Sequence, residues 1–111
     1  MSETDGKIVW FEVAADKGDR AREFYGSLFG WAFQPFGDEG DYQMTDGGAV
    51  YTNPDGKGII VYFGTSDLDA SIARVNELGG SAGEPHEIPN TGRYTVCTDT
   101  EGNPFGLYQA G

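Results

Sequence analysis

The chain has one cysteine, one histidine and few basic residues. A single thiol excludes an intramolecular disulfide framework. Cys97 has no base or cation beside it in sequence, so it reads as a buried structural residue rather than a thiolate nucleophile. Lys and Arg number 7 against 18 Asp and Glu, for a formal net charge of −11. Nucleic acid demands a basic footprint, and an anionic membrane attracts the same charge sign, so both partners are disfavoured. No stretch approaches the roughly 18 consecutive apolar residues that cross a bilayer. Residues 1–7 are polar and acidic, without the apolar core of a secretion signal. The expectation is a cytoplasmic protein with no nucleic-acid and no membrane partner. Phosphate-binding loops are lacking too: Gly79-Gly80 and Gly47-Gly48 have no Gly-Lys-Ser/Thr pattern after them.

What is present fits one compact domain, residues 1–111. The hydrophobic fraction is 38%, with 2 Trp, 6 Tyr and 7 Phe, too apolar for a disordered chain. The 18 glycines imply tight turns and positions where no side chain fits. The acidity suits solubility, and equally attraction of a cationic ligand.

The order of elements repeats. Alternation predicts a strand over 8–13, with Val9, Phe11 and Val13 facing the core and Ile8, Trp10 and Glu12 on the other face. A helix follows over 16–31, with Asp16 placed as its cap and Asp19 in the first turn. Its expected buried stripe is Ala21, Phe24, Tyr25 and Leu28, and Gly30 is placed to end it. Short strands are expected over 32–36 and within 41–52, with an acidic turn over 37–40. Asn53-Pro54-Asp55-Gly56 is strong turn chemistry between the halves. The second half repeats strand (58–65), helix (67–78) and strands (81–87, 94–98, 104–109). Ser66 or Asp67 caps its helix, whose stripe is Leu68, Ile72, Val75 and Leu78, and Gly79-Gly80 ends it. Pro85 makes 81–87 an edge segment. The expected fold class is α+β, with two βαβββ modules, about 7–55 and 58–109, forming a curved mixed sheet around a cleft.

Three clusters then carry a resemblance. They are Arg20-Ala21-Arg22-Glu23-Phe24-Tyr25 with Leu28-Phe29-Gly30-Trp31, Ser66-Asp67-Leu68-Asp69-Ala70 through Glu77-Leu78-Gly79-Gly80, and residues 99–109 ending Pro104-Phe105-Gly106-Leu107-Tyr108-Gln109. In this order and spacing the chain resembles the vicinal oxygen chelate superfamily of glyoxalase I, bleomycin resistance proteins and extradiol dioxygenases. Metal-dependent members draw ligands from four strands. The resemblance puts those positions near Ile8, near Ala49 or Val50, near Ile60 and at Gly106, where relatives carry Glu. None of these side chains binds a metal, so no metal and no cofactor is expected. The metal-free branch, with its short glyoxalase-like proteins and drug-binding resistance proteins, is the nearer likeness. It implies a small-molecule ligand and a homodimer.

Alternation combined with the resemblance gives the candidate ligand-binding residues Trp10, Glu12, Tyr62, Tyr94 and Tyr108. Aromatic walls suit a flat ligand, and Glu12 with the rings suits a cation. Ordinary packing remains open for each tyrosine and for Trp10, and solvation or a salt bridge with Arg93 or Lys7 for Glu12. Gly106 is expected to leave room in the cleft. His86 is expected to face solvent, with a general-base role as the other possibility. The leading function is metal-free binding of an aromatic or cationic small molecule, as in antibiotic resistance proteins. The alternatives are a lyase, isomerase or dioxygenase-like enzyme with an atypical metal or acid–base site, and a non-catalytic dimeric interaction domain.

Overall fold

The computed structural model describes residues 3–37 and 41–111. Residues 38–40 of the expected acidic turn, and Met1 and Ser2 of the expected N-terminal tail, lie outside the described residues. The elements are β1 (Ile8–Ala15), α1 (Gly18–Phe29), β2 (Gln34–Pro35), β3 (Gln43–Thr45), β4 (Gly48–Thr52), a 3-10 turn (Pro54–Gly56), β5 (Gly58–Gly64), α2 (Leu68–Glu77), β6 (Ser81–Ala82), β7 (His86–Ile88), β8 (Gly92–Thr98) and β9 (Pro104–Ala110). The class is α+β with mixed strand pairing. The chain divides into two compact units. One is Trp10–Ile60, and the other is Val61–Gly111 with the N-terminal stretch to Val9.

In the 10–60 unit, β1 and β4 run parallel with Glu12 opposite Ala49. β3 pairs antiparallel with β4, and β2 with β3. The pleat therefore puts Trp10, Glu12, Met44, Ala49 and Tyr51 on one face and Phe11, Val13, Gly48 and Val50 on the other. α1 packs on β4. Gly48 is required by a close approach: a Cβ there would collide with the Phe11 ring. Phe11 in turn meets Trp31, ring centroids 5.4 Å apart, and Trp31 stacks on Tyr25 at 5.3 Å.

Two expectations for α1 are corrected. The inward residues are Gly18, Ala21, Arg22, Tyr25 and Gly26, whereas Phe24 and Leu28 are 59% and 58% exposed. The apolar periodicity is present, but the neighbouring stripe faces inward: Gly18 comes close to Thr52 of β4, and Gly26 to the Trp31 carbonyl after the helix. Asp16 does not cap the helix either. The N-cap position, Lys17, makes no side-chain cap, and the Gly18 N–H donates to Thr52 Oγ1 at 2.8 Å. Gly30 ends α1 in the left-handed conformation, φ 74°, as expected.

In the 61–111 unit, β5 and β9 run parallel with Tyr62 opposite Gly106. β8 pairs antiparallel with β9, matching Val96 to Gly106 and Tyr94 to Tyr108. One sheet face carries Phe63, Phe105, Leu107 and Cys97, packed with Leu68, Ile72 and Val75 of α2. The opposite face carries Tyr62, Tyr94, Gly106 and Tyr108. Asp67, not Ser66, caps α2: its carboxylate accepts the Ala70 N–H at 3.1 Å. Ser66 donates to Asp5 instead. Leu78, expected in the buried stripe, is 60% exposed because α2 stops at Glu77. The expected loose tail is tied down from Thr4 onward, with Gly6 and Lys7 exchanging backbone bonds with Gly64.

The duplication is visible in one shared device. The Leu68 N–H that opens α2 donates to Gln109 Oε1 at 2.8 Å. Thr52 does the same for α1. Each acceptor follows a tyrosine, Tyr51 or Tyr108, on the last strand of its module. A first turn otherwise leaves its N–H groups unpaired, so each helix is stitched to the strand beneath it. The expected edge segment over 81–87 is broken into β6 and β7, both paired with β8. Ala82 faces Cys97 and His86 faces Tyr94, so the segment carries one extra residue around Pro85. That is a bulge at the point where proline has no N–H to offer.

Cys97 is 2% exposed, and burial pushes its thiol pKa up. Folded protein is therefore expected to leave Ellman's reagent unreacted, with stoichiometric reaction after denaturation. Fast reaction of the native chain would contradict this placement.

Candidate functional site

The β1–β4 face of the 10–60 unit holds a directed chain of hydrogen bonds. The Trp10 indole N–H donates to Tyr42 Oη at 3.0 Å, and the Tyr42 hydroxyl donates to Glu12 Oε2 at 2.7 Å. Trp10 and Glu12 are two residues apart on one strand, hence on one face. Tyr42 reaches both from just before β3. Its ring lies 5.3 Å from Tyr51 and 6.0 Å from Phe36. Burial first, and the neighbouring Glu12 second, push the Tyr42 pKa far above the ordinary phenol range. The hydroxyl is thus a permanent donor to the carboxylate. Sequence reading placed Trp10 and Glu12 together but missed Tyr42, whose only signal was an aromatic side chain beside a short strand.

On the 61–111 unit, Tyr62 is 5% exposed and lies over Gly106, where a Cβ would collide with its ring. The room expected at Gly106 is filled by Tyr62. Tyr94 meets Tyr62 edge-on at 6.0 Å, and the exposed His86 ring lies 5.3 Å from Tyr94. Tyr108 shares this face, and its hydroxyl donates to the Thr91 carbonyl at 3.0 Å. Arg93, a considered partner for Glu12, forms a two-point pair with Asp69 at 3.2 and 3.3 Å.

A further charged cluster fixes the framework of the 10–60 unit. The Arg22 side chain is 11% exposed. It donates to the Val50 carbonyl at 3.1 Å, to the Asp41 carbonyl at 3.0 Å and to the Asp41 carboxylate. Thr52 also donates to that carboxylate. The Arg22 guanidinium holds the Asp41 pKa below the usual carboxylate range, although partial burial opposes the shift. Helix, β4 and the approach to β3 meet at the Arg22 side chain, and its partner Asp41 directly precedes Tyr42.

The donor set does not fit a metal. Ile8 and Ile60 are aliphatic, Ala49 and Val50 are fully buried hydrocarbon, and Gly106 is covered by Tyr62. No three His, Cys, Asp or Glu gather among the described residues. One carboxylate, already accepting from a phenol, falls short of the three or four ligands a protein metal site assembles.

Residues 10–108 match the family described as a glyoxalase-like domain. The chain belongs to the glyoxalase-like domain family. That places it in the vicinal oxygen chelate superfamily. It is 29% identical over 113 residues to CFP32 of Mycobacterium tuberculosis, provisionally named a glyoxylase, covering 92% of this chain and 43% of that protein. It is also 29% identical over 131 residues to the anthracycline biosynthesis protein DnrV of Streptomyces peucetius, covering 96% and 48%. This glyoxalase-like chain thus spans less than half the length of the curated relatives it matches. Its fold matches the methylmalonyl-CoA epimerase of Streptomyces coelicolor, solved with 2-nitronate-propionyl-CoA. The TM-score is 0.65 at 23% identity, over 97% of this chain and 99% of that one. The homoprotocatechuate 2,3-dioxygenase of Brevibacterium fuscum, solved with 3,4-dihydroxyphenylacetate, matches with a TM-score of 0.73 at 15% identity, over 98% and 39%.

Proposed function

We propose that this glyoxalase-like chain binds a small molecule without a metal, and that the ligand is planar, aromatic and cationic. The observation that carries the reading is the Trp10–Tyr42–Glu12 chain: a carboxylate held in place on a strand face beside aromatic rings. A carboxylate attracts an ammonium, and a ring face adds cation–π attraction. The net charge of −11 draws cations from a distance. Tyr62, Tyr94 and Tyr108 form a second aromatic set on the other unit, proposed as ligand contacts in their own right. The likeness to an anthracycline biosynthesis protein supports a probe of this chemistry, since an anthracycline joins a planar ring system to an amino sugar. The short β6 and β7 segments at a sheet edge favour a homodimer that shields them. No helix of the described residues is long and apolar enough to cross a membrane.

Daunorubicin titrated into chelator-treated protein tests the reading by calorimetry. The expected outcome is binding that weakens about tenfold to a hundredfold in Glu12→Gln, the worth of one charge-assisted hydrogen bond. Equal affinity in both proteins, or no binding to either, sinks it. A second reading, proton transfer by Glu12 in an enzyme, rests on the same fixed carboxylate.

A further inference from the structure

We propose that Tyr42 is the positioning residue that makes this face selective for a cationic nitrogen over its neutral analogue, an inference that rests on the binding reading above. Hydrogen-bond chemistry fixes the direction of the chain. An indole N–H has no acceptor capacity, so Trp10 must donate to Tyr42 Oη. The single proton of Tyr42 is then directed to Glu12 Oε2 at 2.7 Å. An ionised carboxylate accepts and never donates. A pure donor stands at one end and a pure acceptor at the other, so the three groups have one arrangement.

The consequence for Glu12 is a fixed rotamer. A glutamate on a strand otherwise has several rotamers to lose when it meets a ligand. With the phenol holding one oxygen, that loss is met in the folded chain, before any ligand arrives. The phenol is itself held from two sides, by Tyr51 at 5.3 Å and Phe36 at 6.0 Å. It follows Asp41 in sequence, and Asp41 is held by the partly buried Arg22. Tyr42 thus stands on a rigid base while its hydroxyl addresses the carboxylate. No aliphatic side chain at position 42, and no phenylalanine, supplies this donor.

The test uses Tyr42→Phe with two probes, daunorubicin and its N-acetyl derivative, which keeps the rings and lacks the ammonium. The unmodified chain is expected to prefer daunorubicin by about tenfold, in keeping with one hydrogen bond to a charged group. Tyr42→Phe is expected to shrink that preference to about twofold, by weakening daunorubicin more than N-acetyl daunorubicin. A preference that survives in Tyr42→Phe overturns the proposal, as does equal weakening for both probes. A second readout needs no ligand: the Trp10 indole N–H resonance, assigned with Trp31→Phe. It is expected to move in Tyr42→Phe and, through the phenol, in Glu12→Gln. If neither probe binds the unmodified chain, the binding reading falls, and the indole resonance alone decides the positioning role. An indole resonance indifferent to Glu12→Gln then overturns that as well.

Discussion

Gly106→Glu is expected to destabilise the chain by about 3 kcal/mol or more and to create no metal site. The resemblance to metal-dependent members of the superfamily implies a glutamate ligand at this position, so introducing one looks at first like restoring a ligand. The geometry argues otherwise. Tyr62 lies against Gly106, and even a Cβ would occupy the same space as its ring. Overpacking of this kind costs about 1–3 kcal/mol, and an unpaired buried carboxylate adds to it. Gly106 and Tyr62 are opposed across β5 and β9, so neither backbone can step aside without breaking the ladder. Urea denaturation measures the loss, and zinc or manganese titration by calorimetry measures any site gained. Gly106→Ala is expected to fall between the two, and Tyr62→Ala to relieve part of the strain in the double variant. A Gly106→Glu chain of unchanged stability that takes up one metal ion would contradict the packing described.

Arg22→Ala is expected to cost about 2–4 kcal/mol, because it removes the guanidinium donors to the Val50 and Asp41 carbonyls and leaves the Asp41 carboxylate with Thr52 but no counter-charge. The pH dependence has a definite sign. The Asp41 pKa is lowered in the folded chain, so its contribution is fully present above the unfolded carboxylate value, about 4. It is lost as pH falls from there through the folded value. The stability gap between the unmodified chain and Asp41→Asn should therefore be constant from about pH 7 to 5 and close below about pH 4. Urea midpoints across that range read it directly. A gap that widens on acidification would show that Asp41 is stabilised by something other than the ionised pair.

The parts of the fold legible in sequence were those fixed by local chemistry. Gly30 and Gly79-Gly80 end helices because the turns after them suit glycine. The strand expected before the Asn53-Pro54-Asp55-Gly56 turn is β4, which that turn bounds. What was not legible depended on partners distant in sequence. Periodicity marked Phe24 and Leu28 as apolar positions, but the inward side of α1 is the one where Gly18 comes close to Thr52 of β4. The α1 cap came from Thr52, 34 residues away, where a local rule pointed to Asp16. The same holds for the candidate site. Trp10 and Glu12 share a strand, and period two reveals them as neighbours. Tyr42 joins them only through the pairing of β3 with β4, which no local pattern encodes. Gly106 was recognised as a missing ligand, but its absent side chain makes way for Tyr62 rather than for a bound molecule.

The most direct test of metal-free binding is native mass spectrometry of gently purified protein, with and without a chelator, before and after daunorubicin is added. The account predicts a metal-free dimer that gains one daunorubicin per chain in both conditions, and a Glu12→Gln variant that gains little or none. One metal ion per chain in the untreated protein, with daunorubicin uptake lost once the chelator removes it, would contradict the account.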